Sequence, residues 1–209
     1  MVYDDCVILL YAKAPHKGKV NTRLIPDIGV EAATKLQDDL IHHRLSMLGK
    51  AQLCDVRLMC LPDHQDDYFV QRKKQYDIDL FDQRGNDLGE RMSNGVTDAL
   101  QQYRHCIVIG TDAPALDEKL ITQVIDRLFS KEQVVLVPAE DGGYVLIAMS
   151  SAHACVFQDV NWGSNKVMQQ TIKKLSANNI SYETLPICWD IDTVEDYQRY
   201  LQLIAVPIH

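Results

Sequence analysis

Seven short apolar runs, most of them separated by stretches with helical spacing, constrain this chain more than any other feature. They are Cys6–Ala12, Asp55–Leu61, Ile78–Phe81, Cys106–Gly110, Val134–Pro138, Tyr144–Met149 and Tyr182–Pro186. Several are apolar throughout, the pattern of strands buried on both faces. Between them, Ala33, Leu36, Leu40, Ile41, Leu45 and Leu48 recur at helical spacing, as do Leu120, Val124, Ile125 and Leu128 behind a capping Asp117. A further helix is expected after Ser164 at an N-cap position. Another is expected after Thr193, where Thr193 and Asp196 have capping-box spacing. Alternating strands and helices predict one α/β domain over residues 1–209, a three-layer sandwich with a mostly parallel central sheet.

The 209 residues suffice for one such core, and a charged fraction of 24% is ordinary for a globular protein. No apolar run approaches the length of a membrane span, so no membrane span is expected. The first residues, "MVYDDCVILLYAK", place acids before the apolar run and read as a strand, not a signal peptide. Six cysteines with no CxxC pairing point to reduced thiols and a cytoplasmic setting. A formal net charge of -8 without a basic stripe argues against a nucleic-acid partner. The apolar ending "LQLIAVPIH" suggests docking on the body or in a homodimer.

In a parallel sheet, chemistry gathers at the carboxyl ends of the strands. After the first strand, "KAPHKGKVNTRL" carries Lys13, Lys17, Lys19 and Arg23 with no carboxylate between them. That suits a polyphosphate, although a solvated basic turn explains it too. After the fourth strand, Asp112 in "GTDAPAL" stands where a carboxylate is costly unless it meets a cation or caps a helix. In "PAEDGGY", Asp141 precedes Gly142 and Gly143, which read both as a hairpin turn and as a close backbone approach to a ligand. Asp190 and Asp192 alternate around Ile191, so a strand would aim both acids one way. "FDQRGNDLGERM" sets Gln83, Gly85, Asp87, Gly89 and Arg91 before a helix, at a place able to hold a base or phosphate or simply to cap the helix. Trp162 and Trp189 suit either a pocket wall or an anchor under a loop.

Taken in order, AKAP–G–TRL, Q-x-G-x-DLGERM, GTDAPAL, PAEDGGY, WGS and DIDT-x-EDY resemble a family of small glycosyltransferase-like proteins. The family comprises the transferases associated with radical-SAM and selenodomain gene clusters, within the nucleotide-diphospho-sugar transferase superfamily. The resemblance runs from residue 6 to about residue 200. It implies a GT-A-like fold and metal-dependent glycosyl transfer from a nucleotide-diphospho-sugar. Two alternatives stay open: nucleotidyl transfer from an NTP to a phosphorylated small molecule, and a catalytically degenerate nucleotide-binding protein.

By the same resemblance, Lys13, Lys19 and Arg23 wrap the nucleotide phosphates, and Gln83, Gly85, Asp87 and Arg91 approach base and ribose. Asp112 holds Mg²⁺ or Mn²⁺, with Asp192 as second ligand. Asp141, Gly142, Gly143, Trp162 and Ser164 face the substrate; Asp112, Asp141 and Arg23 form the catalytic set, with Asp141 as the base for an acceptor hydroxyl. The chain departs from the family pattern, roughly AKAPxPGxxKTRL: Lys17 replaces the second proline, and Asn21 replaces the lysine before Thr22 and Arg23.

Overall fold

A computed structural model describes residues 1–130 and 132–205. Its strands are β1 (Cys6–Lys13), β2 (Asp55–Leu61), β3 (Asp79–Asp82), β4 (His105–Ile109), β5 (Val134–Pro138), β6 (Tyr144–Met149) and β7 (Tyr182–Thr184). Its helices are α1 (Ile25–Ala51), α2 (Asp67–Tyr76), α3 (Leu88–Ala99), α4 (Glu118–Phe129), α5 (Val167–Ala177) and α6 (Val194–Ala205). All seven expected strands form one sheet in the order β3-β2-β1-β4-β6-β5-β7. Only β6 runs antiparallel, to β4 on one side and β5 on the other. The mostly parallel α/β architecture is the expected one.

The side chains of β1 explain why the sheet is covered twice. Ile8, Leu10 and Ala12 pack with α1, α2 and α4, whereas Val7, Leu9 and Tyr11 pack with α3 and α5. A strand alternates its side chains, so an apolar residue at every position requires an apolar layer on each side. The six-residue stripe of α1 is buried, and Asp117 caps α4 by accepting the Leu120 N–H at 2.8 Å. The expected capping box of α6 also forms, with the Thr193 N–H donating to Asp196 at 2.9 Å and the Asp196 N–H to the Thr193 hydroxyl at 3.3 Å.

Two local expectations are corrected. The helix after Ser164 begins only at Val167, and the Met168 N–H in its first turn donates to the Gly142 carbonyl at 3.0 Å. Ser164 instead donates to the Asn161 carbonyl at 2.7 Å and turns the loop. The segment carrying Asp190 and Asp192 is not a strand; an isolated bridge pairs Ala139 with Cys188, and the chain then leaves the sheet. All six cysteines are free, five of them buried. No helix among the described residues is long and apolar enough to cross a membrane. The docking expectation for the chain end falls partly on residues 206–209, outside the described residues.

Candidate active site

The chain turns from β1 outward through β2 and β3, then returns to place β4 on the other side of β1. This reversal opens a crevice at the carboxyl ends of β1 and β4, where doubly wound sheets bind ligands. A cavity of about 570 Å³ lies there, within the range of small-molecule sites. Its walls come from the end of β1, the 19–24 loop, α3, the end of β4, the β5–β6 hairpin, the 162–167 loop and the 190–192 segment.

Most of the candidate residues converge on this cavity. Lys13, Lys19, Arg23, Gln83 and Arg91 line it, as do Asp112, Asp141, Gly143, Trp162, Ser164 and Asp192. Gly85, Asp87 and Gly142 do not, and each has a structural task instead. The Asp87 carboxylate caps α3 by accepting the Glu90 N–H at 2.8 Å. Gly85 gives its carbonyl to the Arg91 Nε–H at 3.1 Å, so this loop positions Arg91. Gly142 has φ +91°, and a β-carbon there would lie 2.3 Å from the Asn165 carbonyl oxygen. Only glycine lets the hairpin pass so close to the start of α5. Lys17 points away and pairs with Glu31 at 2.9 Å.

The cationic side is held firmly. The Tyr11 hydroxyl donates to the Arg91 carbonyl at 2.8 Å, fixing α3 to β1. The Gln83 amide donates to the Ala12 and Met59 carbonyls at 3.1 and 2.8 Å, which turns its own oxygen away from them. Asn21, the departure from the family pattern, occupies a left-handed conformation at φ 46° that asparagine tolerates. Its amide donates to the Ala33 carbonyl at 3.0 Å and pins the loop to α1. Arg23 forms an ion pair with Asp192.

The carboxylates gather opposite. Asp112 is exposed on the cavity floor, and partial desolvation by the protein packed around it pushes its carboxyl above the usual range. Asp192 and Asp141 push the same way, while its own backbone N–H and Arg44 oppose them. Asp190 is pushed up to about 7 by burial, then by Asp112 and Asp141. The Ile191 N–H donates to the Asp112 carbonyl at 2.9 Å, binding the 190–192 segment to the end of β4. The Gly143 N–H donates to Asp141 at 2.8 Å and orients that carboxylate.

Sequence reading missed Arg44, whose guanidinium is fully buried within α1 and donates to the Ala113 and Leu116 carbonyls. It holds the loop that presents Asp112, and burial lowers its own pKa to about 10. The available signal was an arginine inside the apolar stripe, between Ile41 and Leu45. Trp162 lines the cavity at right angles to Tyr144, ring centroids 6.3 Å apart, whereas Trp189 is buried under Arg199 and serves as an anchor.

The donor set fits a hard divalent cation. Carboxylates that repel one another gain from a cation, and oxygen ligands suit Mg²⁺ or Mn²⁺. Among the described residues, no group of three or more His, Cys, Asp or Glu side chains is arranged to hold a metal ion by itself. Mg²⁺ usually takes one or two carboxylates together with substrate phosphates and water.

This sheet order and crevice place the chain among proteins built on the fold of nucleotide-using transferases. A protein of Desulfovibrio desulfuricans G20, provisionally described as a nucleotide-diphospho-sugar transferase, superposes with a TM-score of 0.83 at 29% identity, over 91% of this chain and 84% of that one. A cytidylyltransferase from Leptospira borgpetersenii shares the fold with a TM-score of 0.64 at 14% identity, over 99% and 89%. So does glucosyl-3-phosphoglycerate synthase from Mycobacterium tuberculosis, solved with Mn²⁺ and UDP, with a TM-score of 0.55 at 9% identity over 94% and 75%. The chain belongs to the family described as "Uncharacterized protein conserved in bacteria (DUF2064)", whose model matches residues 44–164. No curated protein sequence matches it.

Proposed function

We propose that the protein is a nucleotide-dependent transferase that moves a glycosyl group from a nucleotide-diphospho-sugar to an acceptor hydroxyl. The observation that carries this reading is the pairing of a cationic β1 loop with a cluster of carboxylates across one cavity. A diphosphate bridged by a divalent cation fits between two such walls. Lys13, Lys19 and Arg23 would bind phosphate oxygens, with Arg23 able to fork two of them. Asp112, with Asp192, would hold Mg²⁺ or Mn²⁺, which when bound neutralises charge on the leaving diphosphate. Gln83 and Arg91, which line the same cavity, would approach the nucleoside.

In the transfer, the acceptor oxygen bonds to the anomeric carbon as the bond from that carbon to the diphosphate breaks. The electron pair leaves with the nucleoside diphosphate, and the hydroxyl proton passes to a carboxylate. Asp141, oriented by Gly143, is one candidate base; Asp190, with its pKa near neutrality, is a second one. The sequence motifs support placement with the radical-SAM- and selenodomain-associated transferases, and the free thiols support a cytoplasmic setting. A thermal-shift panel of nucleotides and nucleotide sugars, with and without Mn²⁺, tests the proposal. A Mn²⁺-dependent rise in Tm for one nucleoside is the expected result; no rise for any of them contradicts it.

A further inference from the structure

The buried stripe of α1 is apolar at Ala33, Leu36, Leu40, Ile41, Leu45 and Leu48, but two polar side chains interrupt it, Gln37 and Arg44. Gln37 is nearly buried and Arg44 fully so. Close to two helical turns separate them, so they share a face and stand about 10 Å apart along the axis. An apolar residue at either position would fill the stripe without the cost of desolvating an amide or a guanidinium. Each polar group instead reaches a backbone carbonyl that belongs to the cavity.

The Gln37 amide donates to the Lys13 carbonyl at 3.1 Å, at the carboxyl end of β1. The Arg44 guanidinium donates one arm to the Ala113 carbonyl and the other to the Leu116 carbonyl. These carbonyls mark the two ends of one turn, closed by the Leu116 N–H donating to the Ala113 carbonyl at 3.0 Å. A planar fork fixes two acceptors relative to each other, whereas the ammonium of a lysine is a point donor. Asp112 stands immediately before this turn. Its carboxylate is folded back over Gly110, where a β-carbon would come within 2.5 Å of Oδ1, and its carbonyl accepts the Ile191 N–H at 2.9 Å. Arg44 fixes the chain on the other side of Asp112. Lys13 and Asp112 both line the cavity, so one helix holds a cationic and an acidic part of its wall.

We infer that α1 sets the spacing of the two halves of the site: Gln37 is a positioning residue for Lys13, and Arg44 is a positioning residue for Asp112. The inference rests on the transferase reading, which gives phosphate to Lys13 and the metal to Asp112. It adds that each half has its own support and that the two supports act separately.

The full chain is titrated with a nucleoside diphosphate in EDTA, and separately with Mn²⁺ alone, read by the electron paramagnetic resonance of the free ion. The diphosphate is whichever of UDP, CDP, GDP and ADP binds the unaltered protein most tightly. Arg44→Lys keeps the charge and loses the fork. Its Mn²⁺ affinity should fall about tenfold or more, as for a lost charged hydrogen bond, with metal-free diphosphate affinity within about twofold of the unaltered protein. Gln37→Met, of similar volume, should weaken diphosphate binding about threefold, as for a lost neutral hydrogen bond, and leave Mn²⁺ affinity unchanged. General loosening of the fold would lower both affinities in both variants, so the crossed pattern separates positioning from stability. Equal losses, no losses or reversed losses overturn the inference. If Arg44→Lys fails to fold, Gln37→Met decides alone: a loss confined to the diphosphate supports the inference, and any other result overturns it. If the unaltered protein fails to bind the diphosphate or Mn²⁺, the transferase reading falls and the inference with it. Binding of both, with losses that do not cross, sinks the inference alone.

Discussion

Arg23 and Asp192, 169 residues apart in the chain, form an ion pair across the mouth of the cavity. The pair joins the loop after β1 to the segment before α6, and under the proposed function it would couple two tasks. A phosphate on Arg23 and a metal on Asp192 would each compete with the partner residue. Arg23→Ala should therefore weaken binding of a nucleoside diphosphate by about tenfold or more, as expected for a lost charged hydrogen bond. Binding of Mn²⁺ alone should tighten, because Asp192 is released. Lys19→Ala should cost less for the diphosphate and leave the metal unchanged. Titration of all three proteins separates these outcomes; equal affinities would reduce the loop to a solvated turn.

Asp112→Asn should remove the metal dependence of nucleotide binding while the fold persists, since β4 beneath it is fully buried and apolar apart from His105 at its first position. Circular dichroism checks the fold, and calorimetry with and without Mn²⁺ checks the site. Unchanged metal dependence would exclude Asp112 as the ligand.

The carboxylate cluster also sets how stability varies with pH. Asp190 has its folded pKa raised to about 7, above the ordinary carboxylate value, so the folded state holds a proton that the unfolded state releases. Stability from this group is complete at low pH, declines as pH rises, and levels off above about pH 7. Asp190→Asn should therefore raise Tm at pH 8 by a few degrees and change it little at pH 4. A rise of the same size at both values would exclude ionisation as the cause.

Asn21 makes the departure from the family pattern a structural one. Its amide holds the Ala33 carbonyl, and its φ of 46° suits asparagine better than lysine. Asn21→Lys should cost about 1 kcal/mol of stability through the lost hydrogen bond, while strengthening diphosphate binding through the added cation. Urea denaturation and nucleotide titration measure the two effects separately. A gain in both would mean that the Asn21 hydrogen bond contributes nothing.

What was legible in the sequence followed from periodicity. The apolar runs marked seven strands because the central ones are buried on both faces, and the caps at Asp117 and Thr193 marked helix starts because their side chains satisfy free N–H groups. The short, mostly polar helix α2 buries only Phe69 and left no stripe to read. In the site, loops flanked by glycine and charge drew attention to Lys19, Arg23, Asp112 and Asp141. The same signal also picked out Gly85, Asp87 and Gly142, which lie outside the cavity lining, since a loop turn, a helix cap and a tight crossing use the same residue types as a ligand contact. Arg44 and the Arg23–Asp192 pair depend on contacts between distant segments, which local spacing does not encode.

The proposed function requires one cavity to join a diphosphate to a divalent cation, each held by its own wall. Isothermal titration of Mn²⁺ and a nucleoside diphosphate, added singly and together, tests it most directly. At least tenfold tighter binding of each in the presence of the other is expected, a coupling lost in Asp112→Asn. Independent binding of the two, or binding of neither, would contradict it.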